Sequence, residues 1–494
     1  MRPISFHERK EYAYNESTMK DIIVVGGGVI GAFIARYLSQ YEASVLVLEK
    51  ENDVGDVTSM ANSAIVHSGD DPVPGTLKAK FNVLGNAMFD QVSKELDVSF
   101  ARVGSMNLAF DEAQLPLLEE LRDRAEKNGV PYQMLGKEEI LRLEPNVSPT
   151  VVAGILCPTA GIVNPFTLTA HAMENACDNG VELHLNEPVL GIERQGDHFL
   201  VETPIEQYCC RMVINAAGLA SAKVAAMIEP IDWTITPRKG EYYVLDHFGP
   251  GLVKHVLFPL PTKKGKGVLV TMTTSMNYLV GPSSEFVQSE EDFATDTLTL
   301  SEVRAQAKAM VPGIPFSQQI RVFAGLRSTP STKDFIIESS KTYKEFINVA
   351  GIESPGLASA PAIGKHVAEE MAAKILGLKK KESWNPCIRP YVHLQLMTQA
   401  KKNELIHADP SFGDMVCNCE KVSVGEINDA LNRSVPCLTI KAVKKRTRAG
   451  FGKCQGGFCQ PRVLLLLAKR YGISPLEVLY GRGDSQVLEE EVKK

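Results

Sequence analysis

Long apolar runs are missing from this sequence. No stretch of eighteen or more apolar residues occurs, so no membrane-spanning helix is expected. A secretory signal is missing too: Met1 to Lys20 is polar and mixed in charge, without an apolar centre. That stretch reads as a loose tail, with Met19 as a candidate ancestral start, and the cytoplasm is the expected location. No strongly basic domain stands out, and the net charge is only −6. Both points argue against a general nucleic-acid binder. Also lacking is a second G-x-G-x-x-G turn after a strand, so no separate nicotinamide site is expected.

What is present fits a soluble chain of several domains. The length of 494 residues exceeds what one core holds, and two to four domains are expected. Apolar and charged fractions of 44% and 23% are ordinary. Of ten cysteines, Cys417, Cys419, Cys454 and Cys459 lie close together near the end. In a large cytosolic chain such a group points to metal rather than disulfides. Cys209 and Cys210 sit in a predicted strand and read as buried thiols.

The N-terminal segment Asp21 to Val25 reads as a short apolar strand. Gly26-Gly27-Gly28-Val29-Ile30-Gly31 follows at once, then a helical run from Ala32 to Gln40, then a second strand, Ser44 to Leu48, ending in Glu49 and Lys50. This is a dinucleotide-binding turn. Gly26 permits the tight turn, Gly28 lets backbone approach a pyrophosphate, and Gly31 lets helix pack on strand. The helix start offers free N–H groups to phosphates. Glu49 stands at roughly the 20-residue offset of a ribose acceptor.

Two later strands end in small residues: Met212 to Gly218, with Ala217 and Gly218 at its end, and Phe346 to Leu357, which precedes a helix from Ala360. Three such ends suggest one sheet returning to one extended ligand. Gly356 and Leu357 are candidates to offer N–H groups to a flavin ring carbonyl. Gly351 is either a flavin neighbour or a turn residue.

The stretch Thr58 to Gly69 (TSMANSAIVHSG), together with Pro74 to Lys80, Phe323-Ala324-Gly325-Leu326-Arg327 and Gly351 to Leu357, resembles the D-amino-acid-oxidase-like flavoproteins. Within them it resembles the FAD subunits of anaerobic glycerol-3-phosphate dehydrogenases and the L-2-hydroxyglutarate oxidases. The resemblance implies an α/β fold in which a Rossmann-like FAD domain is interleaved with an antiparallel β-sheet substrate cap. It adds Val29, Ile30, Ser59, Asn62, Ser63, Gly325, Ser354 and Pro355 to the FAD-facing residues. One segment departs from the family: Thr271 to Asn277 carries Ser275 and Met276 where relatives tend to have histidine and glycine.

The implied reaction oxidises a C–H beside oxygen or nitrogen. An anionic substrate needs a fixed cation, and arginine suits phosphate or carboxylate because its fork is bidentate. Arg327, placed by the resemblance at the flavin–substrate boundary, is the first candidate; a surface salt bridge is its alternative role. His67 is a candidate base or a packing residue. Tyr243 belongs to a predicted cap strand in which Tyr242 points the other way; Tyr243 is taken as the pocket residue. His255 is a weaker base candidate.

Near the end, Cys417-Asn418-Cys419 and Cys454-x-x-x-x-Cys459 form a C-x-C and C-x-x-x-x-C pair of motifs. Four thiolates can hold a tetrahedral zinc or a two-iron cluster. The wide second spacing is a poor zinc pattern, and the glycines at 450, 452, 456 and 457 let N–H groups approach sulfur. The block resembles the bacterioferritin-associated-ferredoxin-like [2Fe–2S] domain. The basic run Lys441, Lys444, Lys445, Arg446 and Arg448 before it is either a solvated face or a surface for the cluster or an acidic partner.

The expected organisation is a tail over 1–20, an FAD-dependent oxidoreductase over 21–378 with cap segments near 101–150 and 226–324, a surface linker over 379–412, a [2Fe–2S] domain over 413–485 and a tail over 486–494. The expected activity is oxidation of a small anionic hydroxy compound, sn-glycerol 3-phosphate first, with L-2-hydroxyglutarate or a hydroxyproline-like amino acid as alternatives. A protein subunit is the expected electron acceptor, peripheral membrane association through it is compatible with the sequence, and an oligomer is allowed. The competing reading is a catalytically idle electron-transfer subunit.

Overall fold

The computed structural model describes residues 19–248, 251–261 and 267–490. The expected N-terminal tail, apart from Met19 and Lys20, and residues 491–494 lie outside them.

The strand Lys20–Val25 carries Ile22, Ile23 and Val24 fully buried. A continuous apolar run of this kind suits a parallel strand covered on both faces. It sits mid-sheet, parallel to Val45–Leu48 on one side and Gln207–Asn215 on the other. Glu182–His184 and Phe346–Ala350 extend the parallel set. An antiparallel pair, Gly191–Gln195 with His198–Glu202, and the strand Ile336–Ser339 complete eight strands. The helix Val29–Leu38 is buried along its whole length between the sheet and two further helices, Pro165–Asp178 and Gly356–His366. A Cβ on Gly31 would collide with the Gly26 carbonyl, so glycine is what lets this helix sit on its strand.

The cap is a nine-stranded sheet built from two stretches of chain, Ser105–Ala109 to Ala153–Cys157 and Ile235–Leu245 to Gln319–Pro330. It is antiparallel except where Val256–Pro259 runs parallel to Ser105–Ala109. Helix Thr297–Met310 covers one face, over a core that includes Tyr243, Leu257, Val270, Val303 and Phe316.

The C-terminal domain has a small two-stranded sheet, Met415–Cys417 with Val422–Ser423, and three helices, Val424–Leu431, Ile440–Thr447 and Gln460–Tyr471. It does not hang from a linker. Its core residues Ile427, Val443 and Leu467 belong to the same continuous cluster as Phe33 and Met173 of the FAD domain. The expected surface linker is corrected in the same way. Ile388, Tyr391 and Leu394 are buried, Tyr391 donates to Glu174 at 2.7 Å, and its ring stacks on His171 at 4.4 Å. Past them, helix Gln399–Ala408 buries nothing.

The basic run is neither a solvated face nor an open docking surface. Arg446 and Lys445 reach Asp53 at 2.7 and 2.6 Å, and Lys445 also reaches Asp56 at 2.9 Å. These groups are almost fully buried, so each charge depends on its partner. Arg448 donates to Ser275 at 2.5 Å. The departing cap segment is therefore a contact between the cap and the C-terminal domain.

Candidate functional site

Two joined cavities run along the carboxyl ends of the parallel strands, where open α/β sheets bind ligands. One, of about 440 Å³, begins at Glu49 and Lys50 and includes Gly26, Gly28, Ser59, Ala217 and Gly218. The other, of about 150 Å³, continues from Gly28, Val29, Ile30 and Ser59 past Asn62, Ser63 and Gly325 to Ser354, Pro355, Gly356 and Leu357. Both ends meet helix starts. Gly28 precedes Val29–Leu38 with no side chain of its own to cap it, and Gly356 opens its own helix, also without a side-chain cap. The Val29 N–H donates to Ser59 Oγ at 2.9 Å and the Gly356 N–H to the Glu353 carbonyl at 2.5 Å, so the remaining first-turn N–H groups are those open to a pyrophosphate or a ring carbonyl. Glu49 accepts from Gly27 and Glu51 N–H at 2.6 and 2.9 Å, and burial pushes its carboxyl up to about 7. The shape and donor set of this groove fit an extended dinucleotide.

Of the expected cofactor residues, two do not face the cavities. Gly31 lies beneath them in the helix–strand contact. Gly351 adopts φ of 66° and backs onto Pro330, so it is the turn residue and not the flavin neighbour. Gly325 has a close-approach role: a Cβ there would collide with the Ala61 carbonyl. Its absence lets the strand Gln319–Pro330 press against the Thr58–Ser63 loop, and Thr58 locks the contact by donating to the Leu326 carbonyl at 2.7 Å.

A third cavity, of about 840 Å³, opens between this groove and the cap. His67, Ser63, Arg327, Glu353, Ser354 and Pro355 line both it and the smaller flavin-end cavity. His67 lies with its ring tilted at 5.8 Å from Phe258, and its backbone carbonyl accepts from Asn82 and Asn86. Arg238 stands directly opposite Arg327 in the cap register. Glu353 accepts from Lys78 and Arg238, each at 2.8 Å, and these cations hold its carboxyl below the usual range against the opposing effect of burial. Arg327 donates to the Ser283 carbonyl at 3.3 Å and has no carboxylate partner among the described residues. Asp71, Glu285 and Glu302 also line this cavity.

Tyr243 is corrected. It is buried in the cap core, donating to the Leu300 carbonyl at 3.0 Å with its ring edge-on to Phe316. Its neighbour Tyr242 faces the flavin-end cavity, with its hydroxyl 2.9 Å from that of Ser63 and its ring stacked on Phe323. Strand alternation makes one tyrosine inward and the other outward, and the sequence could not say which. His255 is bound to Glu144 at 2.7 Å and lines neither cavity. Lys78, Arg238 and Glu353 were missed because 275 residues separate the ends of the Lys78–Glu353 pair.

The four expected metal cysteines form two pairs, and among the described residues no group of three or more ligand side chains is closed on a single metal position. Cys419 and Cys454 lie 3.8 Å apart. Cys417 accepts a hydrogen bond from the Cys459 thiol, which holds Cys417 below the usual thiol range, helped by N–H groups of Gly450, Glu420 and Cys419 and opposed by burial. Burial works against the Cys454 thiolate, and N–H groups of Gly456 and Phe458 outweigh it. Lys444 lies beside this nest, 5% exposed, 4.6 Å from the Phe451 ring, and its ammonium has no hydrogen-bond partner among the described residues. Burial lowers it to about 8. Four sulfurs with N–H donors and an uncommitted buried cation fit an anionic cluster held by four thiolates.

Comparisons with known proteins agree. Residues 21–370 match the FAD dependent oxidoreductase family, and residues 415–469 match the BFD-like [2Fe-2S] binding domain. A glycerol 3-phosphate dehydrogenase of Caloramator mitchellensis is 43% identical, over 95% of this chain and 98% of its own. A glycerol 3-phosphate oxidase of Mycoplasma genitalium is 34% identical, over 74% of this chain and 97% of its own. The dithionite-reduced L-alpha-glycerophosphate oxidase from Mycoplasma pneumoniae with FAD bound superposes with a TM-score of 0.72 at 32% identity, over 76% of this chain and all of its own. With a dinucleotide groove under an antiparallel cap and two cysteine pairs in its C-terminal domain, this chain belongs to the FAD dependent oxidoreductases and carries a BFD-like [2Fe–2S] domain.

Proposed function

We propose that this enzyme oxidises a small anionic hydroxy compound, sn-glycerol 3-phosphate first, to its carbonyl product dihydroxyacetone phosphate, and that the electrons leave through the cluster to a partner protein. One observation carries the substrate class: Arg327, without a carboxylate, on the wall shared by the flavin-end and cap cavities. When bound, FAD supplies the two-electron acceptor and the cluster the one-electron carrier. Arg327 binds and orients the anionic group. Lys78 and Arg238 neutralise Glu353, so that the wall stays cationic toward substrate. His67 takes the hydroxyl proton on an imidazole nitrogen. Tyr242 and Ser63, bonded to each other, fix the opposite wall.

The glycerol 3-phosphate dehydrogenase matches nearly the whole chain, whereas the glycerol 3-phosphate oxidases match about three quarters of it and the L-2-hydroxyglutarate dehydrogenases 57–71%. The C-terminal domain is thus shared with that one relative among these, which supports an exit through the cluster. Cys419 is exposed. Beside it stand Phe458, 87% exposed, and the exposed Lys421 and Lys453, neither in an ion pair among the described residues. That face suits an acidic acceptor. No helix among the described residues is long and apolar enough to cross a membrane, and a cytoplasmic site of action is part of this proposal.

The departure at Ser275 and Met276, which would favour an idle pocket, lies at the domain contact with Arg448 and lines none of the three cavities. The test is anaerobic flavin bleaching. Glycerol 3-phosphate should bleach the bound flavin. Bleaching by L-2-hydroxyglutarate or hydroxyproline instead would move the substrate and keep the class. No bleaching across a panel of hydroxy acids, polyol phosphates and amino acids would leave the idle subunit.

A further inference from the structure

The Glu49 end of the groove is rimmed by residues from outside the FAD domain. Arg482 and Gly483 of the C-terminal domain and Glu290, Glu291 and Phe293 of a cap loop line it. The Arg482 guanidinium lies 3.7 Å from the centre of the Phe293 ring, so the two domains meet across the mouth. The arginine is held there by its own segment. Buried Asn52, three residues past Glu49, donates to the Gly481 carbonyl at 2.7 Å. The Gly481 N–H donates to Ser485 at 2.8 Å, and the Lys441 N–H donates to the Tyr480 carbonyl at 2.8 Å.

Charge sharpens the point. The cavity wall carries Glu49, Glu51, Asp56, Glu187, Glu290 and Glu291. A dinucleotide adds two phosphate charges to that wall. Lys50 is half-exposed and already near Glu51 at 3.5 Å. Arg482 lines the same wall and has no carboxylate partner among the described residues. A cation resting on a ring in a partly desolvated place is held more firmly than one in water.

We propose that the [2Fe–2S] domain forms part of the FAD site: Arg482, seated on Phe293, closes the Glu49 end of the groove and supplies the uncommitted positive charge for the dinucleotide half of the cofactor. FAD exchange then requires this bridge to open, which couples cofactor retention to the seating of the cluster domain. The inference rests on FAD occupying the groove, and the flavin content of the wild-type protein reads that separately.

The experiment uses the full chain with FAD and cluster loaded. Arg482→Ala and Phe293→Ala are made singly, and FAD release after dilution is followed by the rise of flavin fluorescence, with bound iron assayed in parallel. Both side chains are partly exposed, so the fold and the iron content should be kept. Release should be about tenfold faster in each variant. Added salt should speed release in the wild type and have less effect in Arg482→Ala. Arg482→Lys should fall between the wild type and Arg482→Ala. Release at the wild-type rate from either alanine variant would overturn the proposal.

Discussion

Arg327 and His67 show what a single residue contributes here. Arg327→Ala should leave FAD bound, because the pyrophosphate is held by the Gly26 to Gly31 turn at the other end of the groove, and should weaken an anionic substrate by about 2–5 kcal/mol. Flavin reduction titrated with glycerol 3-phosphate measures this, and an unchanged affinity removes Arg327 from the site. His67→Gln should slow flavin reduction by about 10²–10⁴-fold with a smaller effect on binding. Stopped-flow absorbance separates the two, and a rate within a factor of two of wild type would rule His67 out as the base. Both residues were legible as candidates because they sit in recognisable local strings. Their neighbours were not. Arg238 matters because it stands opposite Arg327 across two strands, and Glu353 because two distant cations converge on it.

At the scale of elements, local patterns gave type and tertiary contacts gave direction. The apolar run Asp21 to Val25, the glycine turn and the following helix fold as read, since each depends on neighbours in sequence. The strand Ile235–Leu245 was legible as a strand, but its inward face was fixed by the helix Thr297–Met310 that covers Tyr243. The helix Ile440–Thr447 looked like a cationic surface and is instead buried against Asp53 and Asp56. The helix Pro165–Asp178 makes a testable contribution through His171. Burial depresses this ring to about 3, and its Nδ1–H donates to the Leu96 carbonyl at 2.7 Å. The folded protein therefore refuses a proton that the unfolded chain accepts below about pH 6.5. Stability should fall as pH drops from about 6.5 toward 3, by up to about 1.4 kcal/mol per unit from this group. Urea unfolding midpoints at pH 7.5 and 5 should show the fall, and His171→Gln should flatten part of it. An equal slope in the variant would assign the pH dependence elsewhere.

For the whole molecule, the proposed electron exit depends on the C-terminal domain and its cysteines. Cys454→Ser should lower or abolish bound iron and sulfide while FAD stays, and single-turnover flavin reduction should survive. Steady-state reduction of the natural acceptor should collapse. A cluster-free variant that still reduces its acceptor at full rate would show that the cluster is off the path, and zinc without iron in anaerobically prepared wild type would show that there is no cluster. Lys421→Glu with Lys453→Glu should slow transfer to an acidic acceptor, and more so at low salt, without changing flavin reduction by substrate. An acceptor rate indifferent to both charges and to salt would place the exit on another face.

The sequence by itself determined the dinucleotide turn, the four cysteines and the order of the FAD and [2Fe–2S] domains. Each of these rests on residues that are close along the chain or on a motif whose geometry is local. Only the tertiary structure decided that Tyr242 and not Tyr243 meets the groove, that Gly351 is a turn, and that the basic run welds the cluster domain to the FAD domain. The assembly of Lys78, Arg238 and Glu353 beside Arg327 was decided there too. The physical reason is that a side chain's charge state, burial and facing direction are set by whatever packs against it, and in this chain those partners lie on strands and helices hundreds of residues away.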